Sequence, residues 1–449
     1  MACQKWLYEQ KDPLKDFGKD YNHSGYCDSI ILKGDEMNRR QFLFTSVAAA
    51  SVRFTQSSSV TINRIALAPI TGRFHKFVAM NAYDKAPKGH TYDNTLVRIS
   101  TNQSIEGIGV MAYRASDKEF IEAIRKLIGA NPLEIYEMRD GRIIGPAPAF
   151  ADLLNRYRHL DGPLFDLIGK LTGKPAWKLI GDSVRDRVEV YDGTLYFSDV
   201  WFRDRGVRAV VEEVEEAQKF GYRGVKLKLG RGWKWMDREE GLRRDIEVIR
   251  AARKAAGPQL KIMTDANNGY QDNRERAWRL LAETADANVY WIEEPFPENV
   301  EQYAQLREKM RRAGLKTMIA DGENLQLASS FEPYLKPKRL MDVLQLDIRT
   351  SGFLENLRAA QMGEAAGAVC IPHNWGSQIG GLMGLQLSKA ARNVVAAEDD
   401  RSTCDVIVAE GYEFRNGFYT VPEKPGLSIK VDEAVYRQKY QPVEIELDP

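Results

Sequence analysis

Residues 221–230 read GYRGVKLKLG, and how they are read decides the fold. Val225, Leu227 and Leu229 alternate with Lys226 and Lys228, the two-residue period of a β-strand. That period puts both ammonium groups on one face of the strand, close together. On an exposed sheet such a face is merely solvated. In a buried parallel sheet, two neighbouring like charges are costly and call for a purpose.

The surrounding chain decides between the two. From about residue 187 a strand, loop, helix pattern recurs. The strand candidates are VEVYDG (188–193), GVKLKLG (224–230), LKIMTDA (260–266), NVYWIEE (288–294), KTMIADGE (316–323), VLQLDI (343–348) and AVCIPHN (368–374). Amphipathic helical stretches such as 207–220, 237–256 and 273–286 lie between them. Alternation of this kind implies right-handed βαβ units and a parallel sheet. Seven or eight units within about 210 residues favour a closed (β/α)8-type barrel over an open sheet. The region before it, 61–186, reads as α+β. Its strands are expected at 61–68, 93–100 and 107–114, and helical periodicity runs over 117–180. A polar, glycine-containing loop is expected at 71–92, carrying Arg73, His75, Lys85, Lys88 and His90. The tail, 405–449, is strand- and turn-like and is expected to pack on this first unit.

Composition narrows the function classes. Sixty-four basic residues stand against 63 acidic ones, so no electrostatic footprint for nucleic acid or an anionic membrane emerges. Cys3, Cys27, Cys370 and Cys404 form no CxxC pair, which argues against a zinc site or disulfide framework; a single Cys3–Cys27 bridge stays open. Residues 1–60 are read as an extension. Within it, MNRRQFLFTSVAAASV (37–52) has the layout of a bacterial twin-arginine export signal, with a cleavage site near Ala48–Ser51. Its apolar run of about eleven residues is too short for a membrane-spanning helix. A signal belongs at the start of a chain, so Met37 is expected to be the true start and the mature protein periplasmic; otherwise it is cytoplasmic.

Barrel chemistry sits at the C-terminal ends of the strands. Here successive candidate strands deliver Lys226 and Lys228, then Asp265, Glu293 beside Glu294, Glu323, Asp347 and His373. One strand-end carboxylate usually just caps the next helix. Six strands each delivering an ionisable group toward one mouth is harder to attribute to capping. Asp265, Glu293 and Glu323 offer hard oxygen ligands suited to Mg²⁺. The lysines precede this cluster and the Asp347–His373 pair follows it, placing a lysine and a histidine on opposite sides of a metal.

These residues resemble the enolase superfamily, and within it the mandelate racemase subgroup of the mandelate racemase/muconate lactonizing enzyme family. The resemblance covers about residues 61 to 435. It includes GPLFDLIGKLTGKPAWKLIGDSVRDRV, the KxK strand, TDANNGY, WIEEPF, DGEN, LDIRTSG and the PHNWG histidine. It implies a modified TIM barrel, (β/α)7β (187–404), with an α+β capping domain (61–186). It also implies one Mg²⁺ per active site and abstraction of the proton α to a carboxylate, through an enolate, by Lys or His bases. Carried over by position, Asp265, Glu293 and Glu323 hold the metal. Lys228 and His373 are the opposed acid/bases, Asp347 orients His373, and Lys226 helps hold the substrate carboxylate. Glu398 in VAAEDD would hydrogen-bond the developing enolate, with Asp399 and Asp400 as competitors. Asn267 lines the site, and the capping loop with Arg73 and His75 closes over a polar, anionic substrate. Family members are often dimers or octamers, so a homo-oligomer is expected.

Dehydration of a sugar acid to a 2-keto acid is the favoured outcome, with racemisation or epimerisation of a 2-hydroxy acid as the alternative. Cycloisomerisation ranks lower, because relatives of that type do not use the histidine dyad. A non-catalytic sugar-acid-binding barrel and a metal-dependent aldolase complete the field.

Overall fold

The computed structural model describes residues 59–112 and 117–449. The twin-arginine-like segment, Cys3 and Cys27, and the end of the strand expected over 107–114 lie outside them. No helix among the described residues is long and apolar enough to cross a membrane.

The first unit is built on an antiparallel sheet of β1 (Ile62–Val78), β2 (Gly89–Thr101) and β3 (Glu106–Met111). A small hairpin of β4 (Tyr136–Arg139) and β5 (Arg142–Pro146) follows, and the helix Asp161–Thr172 packs on β3. The expected polar loop at 71–92 is corrected here, because most of it is strand. β1 continues to Val78, with Gly72, Phe74 and Val78 buried, and pairs with β2 at Arg73–Thr91. Gly72 is a packing position, since a Cβ there would lie 2.0 Å from the Tyr92 ring. The true loop is 79–88.

Eight parallel strands follow: β6 (Arg187–Leu195), β7 (Gly224–Lys228), β8 (Lys261–Asp265), β9 (Trp291–Glu293), β10 (Met318–Asp321), β11 (Val343–Leu344), β12 (Val369–Cys370) and β13 (Ala396–Asp399). Each pairs with the next from β6 to β12, and β13 pairs with β6. Hydrogen bonds from Cys370 N to Asn393 O (2.9 Å) and from Val395 N to Cys370 O (3.2 Å) carry the ladder from β12 toward β13. The ring thus closes as (β/α)7β. The tail is shared between the two units: Ile445–Leu447 pairs with β1, whereas Phe418–Thr420 pairs with β6.

Val225, Leu227 and Leu229 are fully buried in the large core outside the barrel strands. Inside, Tyr191, Met263, Trp291, Met318, Val343, Val369 and Ala396 form a separate apolar layer. Lys226 and Lys228 are 1% and 5% exposed, so the charged face of GVKLKLG is a buried one. Past the strand, Arg231 is wholly buried between Asp199 (2.7 Å) and Asp245 (2.7 Å) and donates to Lys228 O (3.0 Å). This network fixes the strand end that carries Lys228.

His159 in the capping unit packs 5.1 Å from the Phe120 ring and is 3% exposed; burial lowers it to about 4. The folded state therefore favours the neutral ring. Its stabilising effect is complete above pH 6.5 and is lost as pH falls toward 4. The loss between pH 7 and 4.5 is expected to be roughly 2–3 kcal/mol. Urea unfolding at both pH values should show His159→Phe losing that much less than the wild type; equal losses would refute the account.

Candidate active site

The strand ends converge. One carboxylate oxygen from each of Asp265, Glu293 and Glu323 lies within 4.8 Å of the others. Asp265 and Glu293 end β8 and β9. Glu323 stands two residues past β10, after a turn at Gly322 (φ 123°), so the strand expected to run to residue 323 stops earlier. Lys226 Nζ contacts Glu398 Oε1 (2.7 Å), Glu293 Oε1 (2.8 Å) and Asp265 Oδ2 (3.4 Å). Lys228 pairs with Asp265 Oδ2 and lies over the Tyr196 ring (5.2 Å). Across the triad, His373 Nε2 is 3.2 Å from Glu323 Oε2 and 4.0 Å from Glu398 Oε2.

Asp347 does two things. It caps the helix Ile348–Ala366, accepting from Arg349 N at 2.8 Å, and its Oδ2 lies 3.0 Å from His373 Nδ1. Helix capping and the contact with His373 coincide in a single carboxylate. Glu398 is the member of its EDD triplet that reaches the site. Asp399 turns to the Tyr222 hydroxyl (2.5 Å), and Asp400 to Gly376 N (2.5 Å).

Electrostatics matches a cation-binding centre. Burial and then Asp265 lift Glu293 to about 8 even though Lys226 lowers it, as expected of a carboxylate buried among other carboxylates. Glu323 Oε2 is buried and receives no hydrogen bond. Three hard oxygen donors from successive strands, one unsatisfied, fit a small divalent cation. Burial opposes ionisation of His373, but Glu323, Asp347 and Glu398 outweigh it and raise the ring to about 9. Lys226 does lower its neighbour Lys228, but it does not decide the outcome. Burial lowers Lys228, yet the Asp265 carboxylate more than offsets burial and Lys226 together, and the ammonium stands above its ordinary value.

Two expected residues are not brought to this centre. Arg73 is exposed, its backbone paired with Thr403, and His75 faces Glu216 at 3.8 Å. Both sit on β1 and not on the loop. Asn267 is buried, donating to Glu294 Oε2 at 3.1 Å, and holds a left-handed backbone (φ 42°), as does Asn268 (φ 61°). The capping residue that does arrive is Tyr83, from the 79–88 loop. Its hydroxyl donates to Glu294 Oε1 (2.8 Å) and accepts from Asn268 (2.8 Å) and Asn324 (2.9 Å). Gln345 also joins, donating to Glu293 Oε2 at 3.1 Å. A doubled glutamate in WIEEPF was the visible trace of this network; nothing local marked Tyr83.

A capped (β/α)7β barrel with a carboxylate triad between a lysine pair and an Asp–His pair is the arrangement of the enolase superfamily's mandelate racemase branch. Residues 209–435 match the enolase C-terminal domain-like family, and the chain belongs to it. It is 26% identical over 364 residues to the D-xylonate dehydratase of Haloferax volcanii, covering 76% of this chain and 84% of that one. It is 28% identical over 293 residues to the D-galactarolactone cycloisomerase of Agrobacterium fabrum, covering 61% and 70%. Among solved structures it resembles a mutant galacturonate dehydratase from Geobacillus sp. in complex with Mg. The TM-score is 0.76 and the identity 29%, covering 89% of this chain and all of that one.

Proposed function

We propose that the protein is a Mg²⁺-dependent dehydratase of a sugar acid. The observation that carries this is the pair of proton-transfer groups at opposite ends of the carboxylate triad, Lys228 on Asp265 and His373 on Glu323. The likeness to sugar-acid dehydratases supports it.

Asp265, Glu293 and Glu323 would hold the metal, which when bound supplies positive charge to the substrate carboxylate and acidifies the α-carbon. A cation held by Asp265 would offset the charge that raises Lys228, and burial and Lys226, which both lower it, would then favour the neutral amine. Neutral Lys228 takes the α-proton. Lys226 stays charged between Glu293 and Glu398, keeping both carboxylates in place. Glu398 sits beside the developing enolate. His373, protonated and held by Asp347, gives its Nε2 proton to the β-hydroxyl as the C–O bond breaks. Water leaves, and the enol product tautomerises to the 2-keto acid. Tyr83 and the loop around it cover the mouth.

The purified protein with Mg²⁺ and a panel of acid sugars should form 2-keto acid from at least one of them. Solvent deuterium entering the α-position without keto acid would make it a racemase or epimerase. No exchange with any acid would favour a binding protein.

Glu323→Gln should weaken Mg²⁺ binding at least about 100-fold, as removal of even a supporting partner costs 10- to 100-fold. Calorimetric titration reads this directly. Mg²⁺ at roughly 100 times its Kd should stabilise the wild type by about 2.7 kcal/mol, and the variant far less.

A further inference from the structure

We propose that Arg349 is a positioning residue that turns the Asp347–His373 pair into an Arg–Asp–His relay, locking the imidazole so that Nε2 faces the substrate. Its kinetic arm rests on the dehydratase reading; its geometric arm does not.

The Asp347 carboxylate has no free direction left. Oδ1 accepts from Arg349 N (2.8 Å) and Nε (3.0 Å). Oδ2 accepts from Nε (3.1 Å) and Nη2 and meets His373 Nδ1 at 3.0 Å. Turning the carboxylate to release the histidine would break the bidentate guanidinium contact, which is among the stronger charge-assisted arrangements. The remaining arm, Nη1, donates to Trp375 O, two residues beyond His373. One guanidinium therefore holds both the carboxylate that orients the ring and the backbone that follows it. Asp347 and His373 are themselves bridged in parallel, with His373 N donating to Leu346 O at 3.1 Å.

The chain makes room for this clamp. A Cβ at Gly380 would stand 2.7 Å from Arg349 Cγ and 3.2 Å from Cδ, so glycine leaves space for the arginine stem. The Arg349 side-chain hydrogen bonds run to Asp347 and Trp375. Trp375 in turn stacks on Tyr196 (4.8 Å) and on Phe74 of β1 (4.8 Å). The histidine's mooring thus reaches the ring beneath Lys228 and the capping sheet. With Asp347 fully occupied as an acceptor, the Nδ1 proton stays on the imidazole and Nε2 is left as the exchanging atom.

Three measurements test this. Arg349→Met should lower the dehydration kcat by about 100-fold, with KM and Lys228-dependent α-proton exchange within roughly threefold of wild type. Arg349→Lys, which offers one ammonium for two oxygens, should recover roughly a tenth of the wild-type rate. A purely structural arginine would instead depress exchange and dehydration together, and that parallel loss, or no loss at all, overturns the proposal. Independently of substrate, the His373 Nδ1 proton resonance in protein without added metal, assigned by its loss in His373→Asn, should be sharp in the wild type. It should shift or exchange away in Arg349→Met. An unchanged resonance sinks the proposal even if the enzyme dehydrates sugar acids. A changed resonance in a protein that dehydrates none leaves the relay standing and removes the dehydratase reading.

Discussion

Lys228→Arg should abolish turnover while preserving the charge, the salt bridge and the metal site. The side chain is buried with its ammonium on Asp265 Oδ2 and over the Tyr196 ring. A guanidinium in that position stays a cation at any working pH and cannot accept the α-proton. General-base loss of this kind is worth about 10²- to 10⁴-fold in kcat, and the upper end applies where no water or neighbour substitutes. Lys226 is a poor substitute, held between Glu293 and Glu398 and kept well above its ordinary value: burial lowers it, but those carboxylates outweigh burial. Lys228→Met should lose as much activity. It should also weaken Mg²⁺ binding less than Glu323→Gln, since Asp265 gains freedom to turn to the metal. Steady-state rates beside calorimetry separate these effects. An arginine variant with more than about a tenth of wild-type activity would make the position a fixed charge and not a base.

How much of this was legible depended on whether a feature was local. The alternation of GVKLKLG forecast a strand, and the strand is there at Gly224–Lys228 with both faces buried. The barrel followed from repetition of that local pattern. Asp265 and Glu293 were visible because each ends a strand, and strand ends in a closed barrel must meet. Glu323 was reached for a partly mistaken reason: the strand stops at Asp321, and a glycine turn brings Glu323 inward. What escaped were pairings between distant segments. Arg231 meets Asp199 and Asp245 across 32 and 14 residues, and Tyr83 meets Glu294 across 211. No periodicity encodes such contacts. The basic residues of 71–92 misled because charge was taken to mean loop, although their spacing also fitted the outer face of β1. Arg73 and His75 alternate there with the buried Gly72 and Phe74.

His373→Asn should separate the two halves of the reaction. Asparagine can still donate an amide hydrogen toward Asp347 Oδ2, which now meets His373 Nδ1 at 3.0 Å, so the Asp347–Arg349 clamp has a partner. It cannot deliver a proton to a leaving hydroxyl. Lys228 lies on the Asp265 side of the triad and contacts neither ring nitrogen, so removal of the α-proton should continue. Incubated in D₂O, the variant should exchange the α-hydrogen of the substrate at near wild-type rate while 2-keto acid formation falls about 10²- to 10⁴-fold. Replacing the β-hydroxyl of the substrate by fluoride sharpens the test, because fluoride departs as an anion without prior protonation. The variant should then eliminate it at a rate approaching that of the wild type. Failure on the fluoro substrate, with exchange also lost, would mean that His373 holds the substrate or the triad in place through its 3.2 Å contact with Glu323 and is not the acid. Restored elimination, by contrast, assigns the proton of the departing water to the Nε2 atom that Asp347 and Arg349 hold in place.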